Sequence, residues 1–479
     1  MQESYEPIVP KKVGNAGEDP GDPLEVRGEQ TNASDEGNMT GPRNRAIMLT
    51  RHIRIAEMAK EDKERRFYSI AHLLTVDALY EAFEGLRKDA SAGVDRVTYA
   101  GYQVEAWKNI QGLHARMKSG QYRAQPLRRV YIPKEDGRQR PISIPSLEDK
   151  IVQKAAVDLL NAIYEQDFLP CSYGFRIGIG AQEALDEVGS IICRYPITTV
   201  LEADIQSYFD AIVRRLLMEM VEKRVNDGSI LRLIGKWLHV GVIDDGRLLV
   251  SETGVGQGQV ISPLLANIYL HYVLDEWFER EVKPRLKGEA YEVRYADDFI
   301  LCFQYREDAE RVMEVLIKRF ERYGLKLHPE KTRLMEFGRQ ALTRAEELGG
   351  PKPPTFDFLG FTHICKRSRK GKFTVHVRTM RKRLKRSIAK LTIWCKKHRH
   401  DPVAEQWIAL NRKLQGHYQY YGRPTNYRSL WQFFRAARKV WKTWLNRRNR
   451  KRQLTWQKFE KLLNRHPLVR PRIMRPWTA

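Results

Sequence analysis

The sequence predicts an α+β region with a mainly antiparallel sheet, followed by an all-α basic region. Short β-branched runs and amphipathic helical stretches alternate up to about residue 365, which is typical of an α+β domain. From about residue 379 the pattern is helical and rich in Lys and Arg. The 479 residues suffice for roughly two to four domains with a sizeable core.

The positive charge is concentrated near the C-terminus. Residues 380–479 carry 28 Lys and Arg against three acidic residues, whereas residues 1–379 carry 56 of each sign. This asymmetry indicates a polyanionic partner, because exposed cations attract phosphates and interleaved tyrosines can stack on bases. We expect four aromatic side chains to lie mostly in the core of this region: Trp431, Phe434, Trp441 and Trp444.

Composition excludes several classes of protein. No run of about 18 apolar residues occurs, so we expect no membrane span, and the first residues lack the pattern of a signal peptide. The five cysteines form no CxxC pair, which argues against a zinc ribbon or a disulfide framework. A reducing, cytoplasmic setting fits this usage.

Local signals place several elements. Residues 1–44 are rich in Gly, Pro and polar residues and are predicted to be disordered, with helical patterning from about Arg45. Thr75 and Ser146 are predicted N-caps of helices. Residues 127–145 read as two strands around a turn at residues 135–137, because Asp-Gly favours a hairpin. Further helices are predicted over 260–278 and 309–323, the latter ending at Gly324.

The segment RYADDF, residues 294–299, places two adjacent carboxylates in a strand-like run. We expect a hairpin with Asp297 and Asp298 at its turn, and a third carboxylate from Asp204 at the end of the strand VLEADI. Buried unpaired charge costs several kcal/mol, and a divalent metal removes that cost because hard cations prefer carboxylate oxygens. Three carboxylates suit two Mg²⁺ roughly 3.5–4 Å apart, an arrangement for in-line displacement at phosphorus. An exposed turn with two solvated acids would show the same short motif, so the motif alone is weak.

Other motifs accompany it in a fixed order. They are RPISIPSLEDKIVQ (140–153), CSYGFR (171–176), QGQVISPLLANIYL (257–270), FDFLGF (356–361), GHYQYYG (416–422) and WLNRRNRKRQLTW (444–456). With YADDF, these motifs make the chain from about residue 65 onward resemble the bacterial group II intron reverse transcriptase/maturase family. The resemblance implies a right-hand polymerase fold, with fingers and palm built on an antiparallel sheet and a basic helical thumb/maturase domain. It also implies RNA-directed DNA polymerase activity.

The resemblance assigns the metal site. Asp204 and Asp297 would bind two Mg²⁺, for which Mn²⁺ can substitute, with Asp298 beside them. The backbone of Ile205 would add a ligand. Lys331 matches a lysine proposed as the general acid for pyrophosphate.

The resemblance also assigns a nucleotide pocket. Lys134 and Arg140 match finger residues that grip the triphosphate, where a basic hairpin tip neutralises phosphate charge. Phe209 matches the aromatic steric gate that excludes a 2′-hydroxyl, and Gln257 matches the pocket glutamine. Leu359–Gly360–Phe361 resembles the primer-grip turn.

Two segments depart from the family pattern. The usual Pro-Gln-Gly reads Gly256–Gln257–Gly258, which loosens the backbone at the nucleotide pocket. The usual Pro-x-Arg-Ser reads Ile177–Gly178–Ile179–Gly180, and the missing basic residue is expected to alter contacts with the template backbone.

The implied domain organisation has five parts. They are a disordered tail (1–44), an N-terminal extension with fingers (45–195), a palm with the remaining finger elements (196–378), a helical thumb/maturase domain (379–446) and a basic DNA-binding-like tail (447–479). No endonuclease domain is expected, because the sequence to its end shows neither Cys pairs nor a His-Asn-His-like segment.

The resemblance implies RNA template, intron RNA, DNA primer and target, and dNTPs as partners, no membrane, and a bacterial cytoplasmic protein that is nucleoid-associated when on DNA. A homodimer is left open. The first functional hypothesis is an active reverse transcriptase that assists splicing and mobility of its intron. The alternatives are a domesticated group II-like enzyme in DNA repair or phage defence, and a catalytically idle RNA-binding splicing factor.

Overall fold

The computed structural model describes residues 42–133, 139–448 and 453–475. They form two compact units. The larger contains the described residues up to Leu359 together with Ile364–Val375, and the smaller contains Gly360–His363 and the described residues from His376 onward. Each unit has an apolar core of its own. Within the described ranges, no helix is both long enough and apolar enough to cross a membrane.

Helices form most of the described chain. The α-helices are α1 (Pro42–Glu61), α2 (Val76–Glu84), α3 (Tyr99–Gln103), α4 (Ala106–Lys118), α5 (Leu147–Asp167), α6 (Ala181–Arg194), α7 (Tyr208–Ala211), α8 (Arg214–Glu222), α9 (Gly228–His239), α10 (Ser262–Leu270), α11 (Arg306–Arg322), α12 (Arg339–Glu347), α13 (Arg381–Lys397), α14 (Val403–Tyr421), α15 (Tyr427–Asn446) and α16 (Trp456–Arg465). Short 3₁₀ turns occur at Ala71–Leu73, Lys283–Arg285 and Pro424–Asn426, and π-helical segments at His271–Asp275 and Phe278–Val282.

The strands belong to three sheets. They are β1 (Leu127–Pro133), β2 (Gln139–Ile144), β3 (Thr199–Asp204), β4 (Val242–Asp244), β5 (Arg247–Leu249), β6 (Ala290–Tyr295), β7 (Asp298–Phe303), β8 (Arg333–Glu336), β9 (Phe356–Phe358), β10 (Phe361–Arg367) and β11 (Phe373–Thr379). The sheet orders are β2-β1-β4-β5, β6-β7-β3-β8 and β11-β10-β9. The prediction of mainly antiparallel pairing is confirmed, with β1 and β4 as a parallel exception.

Two predicted caps are confirmed. The Thr75 hydroxyl accepts the N–H of Ala78 at 3.2 Å and begins α2. The Ser146 hydroxyl accepts the N–H of Asp149 at 3.2 Å and begins α5. α1 and α2 both pack on α5, so these caps fix where the helices of the larger core start. The predicted turn at residues 135–137 between β1 and β2 lies outside the described residues.

The sheet β6-β7-β3-β8 positions the acidic residues. β3 and β7 are its central strands and are buried along nearly their whole length, and α11 packs against both. α11 ends before Gly324 (φ +72°), as predicted. Because the sheet is anchored on a buried core, the ends of its central strands are fixed relative to one another.

The amphipathic helix predicted over 260–278 is different in the structure. α10 is buried on every side, and the chain then continues through the two π-helical segments. Each π turn inserts a residue and releases backbone carbonyls from the regular ladder. The Arg319 guanidinium donates to the Val273 and Tyr272 carbonyl oxygens at 2.9 and 3.1 Å, so a side chain from α11 satisfies them.

The smaller unit is a helical assembly in which α13 and α14 pack against α15. Trp441 and Phe434 are buried in its core, as predicted. Trp431 and Trp444 are half-buried at the edge of that core.

Candidate active site

Asp204 and Asp298 lie directly opposite each other on neighbouring antiparallel strands. Opposed residues of such a pair point to the same face of the sheet. The Asp204 carbonyl oxygen accepts the N–H of His328 on the far side of β3, so the backbone of Asp204 faces away from β7. The two aspartates therefore occupy a non-hydrogen-bonded pair, the register in which facing side chains stand closest, with Cα atoms about 4.5 Å apart.

The hairpin between β6 and β7 differs slightly from the prediction. Tyr295 and Asp298 are paired, so the turn residues are Ala296 and Asp297, and Asp298 is the first residue of β7. Two residues are the shortest common hairpin connection. Ala296 has φ +57°, a backbone conformation that costs a non-glycine residue about 1–3 kcal/mol. The structure thus places local strain at the turn that presents Asp297.

The backbone of Ile205 extends this acidic site. Asp204 and Gln206 make the hydrogen bonds of the isolated bridge between Ile205 and Leu327, using the His328 N–H and the Lys326 carbonyl. Backbone groups of successive strand residues alternate in direction. The Ile205 carbonyl therefore points to the β7 side, toward the turn that carries Asp297.

Burial and mutual repulsion raise the pKa values of two carboxyl groups in this site. Burial, followed by the charge of Asp204, raises the pKa of Asp297 to about 6, and Arg140 and Lys331 oppose the rise. The pKa of Asp298 is raised well above its ordinary value, first by burial and then by Asp204 and Asp297. Lys331 and Arg140 offset only part of the repulsion among these carboxylates, and this donor set fits a hard divalent cation.

Lys331 contacts the site directly. Its ammonium Nζ donates to Asp204 Oδ2 at 2.7 Å. The lysine side chain is 58% exposed, so the pair contributes little to stability. In this arrangement the ammonium offsets part of the charge of the acidic cluster.

Sequence reasoning missed Glu202, a fourth carboxylate on the same face. It stands two residues before Asp204 on β3 and pairs with Arg333, whose Nη2 donates to its Oε2 at 2.6 Å. The Asp357 N–H donates to its other oxygen at 3.3 Å. Burial raises the pKa of Glu202, and its charge adds to the rise at Asp298. The alternation within VLEADI was the signal that would have found it.

A second acidic group lies behind the hairpin. Ligand atoms of Cys171, Asp275 and Glu292 lie within 4.8 Å of one another. Burial raises the pKa values of the Cys171 thiol and of Glu292 well above their ordinary values, which favours their neutral forms. Asp275 pairs with the buried Arg294, and the group is balanced by that guanidinium.

Three of the four predicted nucleotide residues lie within the described ranges. Phe209 is buried, with its ring 6.5 Å from that of Phe175, and its carbonyl accepts the Val255 N–H at 2.8 Å. The Gln257 carbonyl accepts the Ser143 N–H at 2.7 Å, which ties its loop to β2. Arg140 lies on β2, where its charge acts on Asp297. Lys134 lies outside the described residues.

The glycine at 256 has a packing reason. A Cβ there would stand 2.6 Å from Gln259 Nε2 and 2.9 Å from Leu127 Cδ1. Its carbonyl accepts the Ser262 hydroxyl at 2.8 Å and the Gln259 N–H at 3.1 Å. These bonds anchor the turn in the structure, and the predicted loosening relative to proline stays a prediction.

The structure also describes the segment Ile177–Gly180, which departs from the family pattern, and the turn that resembles the primer grip. Ile177 is exposed, and Gly180 precedes α6, with its N–H donating to Glu183 at 3.0 Å. Leu359 and Gly360 both have positive φ, +48° and +80°, between β9 and β10. This is the sign pattern of a type I′ hairpin turn.

Comparison with known proteins agrees with this geometry. A family model described as reverse transcriptase (RNA-dependent DNA polymerase) matches residues 132–363. The chain is 32% identical over 366 residues to Protein YkfC of Escherichia coli (strain K12), an alignment that covers 67% of this chain and 90% of YkfC.

Intron-encoded proteins also match. Identity to the group II intron-encoded protein LtrA of Lactococcus lactis subsp. cremoris is 32% over 255 residues, or 50% of this chain and 41% of LtrA. Identity to an uncharacterized 91 kDa protein in the cob intron of Schizosaccharomyces pombe is 38% over 164 residues, or 34% of this chain and 20% of that protein. The alignments thus span most of YkfC but less than half of these two intron proteins.

The match to the reverse transcriptase model implies the right-hand polymerase fold, and the mixed helices and antiparallel sheets of the larger unit agree with it. The chain belongs to the reverse transcriptase family, in the group II intron-like reverse transcriptase/maturase group, and is an RNA-directed DNA polymerase.

Proposed function

We propose that Asp204, Asp297 and Asp298 form the catalytic metal site of this polymerase, and that Mg²⁺ is the ion they hold. The observation that carries the proposal is the close cross-strand pair of Asp204 and Asp298, with Asp297 on the adjoining turn. The Ile205 carbonyl, which points to the same side, is the proposed backbone ligand. Bound divalent ions would lower the pKa of the attacking 3′-hydroxyl and neutralise the leaving pyrophosphate.

The residues around the site have separate proposed tasks. Lys331 offsets the charge of Asp204 in the metal-free protein, since its ammonium lies 2.7 Å from Asp204 Oδ2, and it is the proposed proton donor to pyrophosphate. The positive charge of Arg140 acts on Asp297, and a guanidinium in that position would bind the triphosphate of an incoming dNTP. We assign the same task to Lys134 from the family pattern.

Phe209 and Gln257 are proposed to shape the nucleotide pocket. The Phe209 ring is packed and its backbone is fixed against Val255, so the ring cannot easily move to admit an added hydroxyl. A fixed ring discriminates better than a mobile one, because relief of the clash would require repacking. Gln257 stands on a loop that is bonded to β2, the strand that carries Arg140.

The smaller unit is proposed to bind RNA as the thumb/maturase domain. On α15, Arg428, Arg435 and Lys439 are exposed at helical spacing along one stripe, opposite the buried Phe433, Ala437 and Trp441. Cations on one exposed helix face suit a phosphate backbone. The predicted fingers, palm and DNA-binding-like tail boundaries belong to the same proposal.

We propose intron RNA as the partner of this surface, with splicing and mobility of that intron as the biological role. The matches to proteins encoded in introns support this proposal, and they do not favour a domesticated enzyme in repair or defence. The cluster of mutually repelling carboxylates argues against an idle scaffold, because such a cluster destabilises a fold that has no use for it.

Primer extension on an RNA template with Mg²⁺ and dNTPs tests the function. The wild-type protein should extend the primer, and Asp297→Ala combined with Asp298→Ala should abolish extension. The matched control is Glu346→Ala with Glu347→Ala, an adjacent acidic pair that is exposed on α12. Extension by the aspartate variant, or none by the wild type, would refute the proposed site.

A further inference from the structure

Arg294 is a fully buried cation beneath the catalytic hairpin. Its side chain has 0% exposure, and it lies on β6, two residues before the turn residue Ala296. Its pairing partner on β7 is Phe299, whereas Asp298 pairs with Tyr295. Because adjacent strand residues point to opposite faces, the guanidinium lies on the sheet face opposite the Asp298 carboxylate.

All five guanidinium donors are used. Nε and Nη2 donate to the two carboxylate oxygens of Asp275, each at 2.6 Å. Nη1 donates to Asn267 Oδ1 at 3.2 Å, and Nη2 donates to the Ser172 hydroxyl at 2.7 Å. The remaining Nη1 bond goes to the carbonyl oxygen of Ala296 at 3.1 Å. Arginine has five N–H donors in a planar fork. All five of these hydrogen bonds therefore depend on the planar geometry of the guanidinium.

The same anchors hold the outer side of the turn. The Asn267 amide donates to the Gly174 carbonyl at 2.6 Å. A Cβ on Gly174 would stand 2.3 Å from the Ala296 nitrogen. The backbone at Gly174 therefore packs directly against the turn, with no room for a side chain between them. The Arg294 N–H donates to the Cys171 carbonyl, and the Arg294 carbonyl accepts the Tyr173 N–H, each at 2.8 Å. The strained Ala296 conformation is therefore clamped from two sides by one connected network.

We propose that Arg294, held by Asp275, is the positioning residue of the metal site. It fixes the Ala296 carbonyl, and through it the orientation of the Asp297 carboxylate and the start of β7. A buried ion pair adds little net stability relative to apolar packing. A role in orienting metal ligands accounts for the Arg294–Asp275 pair at this position. The inference rests on the proposed metal site, but it concerns a residue that touches neither metal nor nucleotide.

Arg294→Lys tests the proposal, because lysine keeps the charge and loses the fork. The matched control is Arg224→Lys. It alters another buried arginine, which pairs with Asp167 and donates to three carbonyls at the end of α1 and just after it. For each variant we would measure Tm, Mn²⁺ affinity of the substrate-free protein by electron paramagnetic resonance, template–primer Kd and the single-nucleotide kcat.

Arg294→Lys should weaken Mn²⁺ binding and lower kcat by about tenfold or more, with template–primer Kd unchanged. Arg224→Lys should lower Tm while Mn²⁺ affinity per folded molecule stays at the wild-type value. Wild-type Mn²⁺ affinity and kcat in Arg294→Lys would overturn the proposal. Should that variant not fold, Ser172→Ala decides: it removes one anchor, and Mn²⁺ affinity should fall severalfold, whereas an unchanged affinity overturns the proposal.

The two proposals fail differently. Loss of Mn²⁺ binding in Arg294→Lys, combined with no primer extension by the wild type, would support the positioning role and refute polymerase function. Normal extension by both the wild type and Arg294→Lys, with none by the double aspartate variant, would keep the function and refute the positioning role.

Discussion

Asp204 and Asp298 face each other across β3 and β7 in a non-hydrogen-bonded pair, so two carboxylates stand at the closest register that a sheet allows. Directly opposed like charges destabilise a sheet. The fold tolerates the pair because the strands behind it are buried and continuous. We interpret the destabilisation as the consequence of a metal site, in which a bound cation would relieve the repulsion between the carboxylates.

Asp297→Asn should stabilise the metal-free protein. The pKa of Asp297 is raised from 3.8 to about 6 in the folded state, so the folded protein holds this proton more tightly than the unfolded chain. Its ionisation costs stability, and the cost grows as pH rises from about 4 to about 6 and is then constant. We expect Asn to add about 1–3 kcal/mol above pH 6 and little below pH 4, as measured by urea unfolding with EDTA.

Excess Mg²⁺ provides the control for this prediction. With bound metal the carboxylate is stabilising, so the wild type should gain stability that Asp297→Asn does not gain. An Asn variant that is less stable than the wild type in EDTA at neutral pH would contradict the electrostatic explanation.

Lys331→Gln should change the requirement for metal. The ammonium lies on Asp204 Oδ2 and must share that oxygen with an incoming cation. Because an exposed pair is worth at most about 1 kcal/mol, its removal should lower the half-saturating Mg²⁺ concentration by roughly twofold to fivefold. Lys326→Gln, at an exposed neighbouring lysine, should change nothing. Because Lys331 is also the proposed proton donor, kcat should fall by about tenfold or more and its alkaline limb should be lost. An unchanged kcat and pH profile would refute proton donation by Lys331.

Phe209→Val should relax discrimination against ribonucleotides. The smaller side chain opens space where the added 2′-hydroxyl would clash, so the ratio of kcat/KM for dNTP and rNTP should fall by roughly tenfold to a hundredfold. Phe83→Leu removes another buried ring, within the N-terminal helices. It should reduce stability and leave discrimination intact. Equal discrimination in wild type and Phe209→Val would refute the steric role.

Replacing Arg428, Arg435 and Lys439 by Gln should weaken RNA binding. Each lost phosphate contact flattens the plot of log Kd against log salt, so the slope should decrease by about 2–3. Arg311, Lys318 and Arg322 are exposed at identical spacing on α11, and their replacement by Gln is the matched control. A similar change of slope in both triples would show that general charge, and not this helix face, binds RNA.

Helix caps, helix ends and strand ends could be predicted where a short stretch of sequence determines them. The Thr75 and Ser146 caps, the end of α11 at Gly324 and the strand that ends at Asp204 all followed from short stretches of sequence. The turn of the hairpin was misplaced by one residue, because nothing in RYADDF says which two residues close the ladder. Ala296 is contacted by the Arg294 guanidinium and by the backbone at Gly174, and neither contact can be read from the six letters.

The supporting residues could not be predicted because they come together only in the folded chain. Lys331 reaches Asp204 across 127 positions, and Arg294 reaches Ser172 across 122. The alternation within VLEADI places Glu202 on the face of Asp204, but its partner Arg333 is brought opposite it only when β8 pairs with β3. The π-helical segment that supplies Asp275 likewise has no short sequence signature.

Single-turnover incorporation of one dNTP by Asp204→Asn, Asp298→Asn and the double variant tests the central claim most directly. If the two aspartates form one metal site, each single substitution disables it, and the double variant should be no slower than the slower single variant. If the losses in rate multiply in the double variant, the two carboxylates act independently and the proposed shared site is wrong.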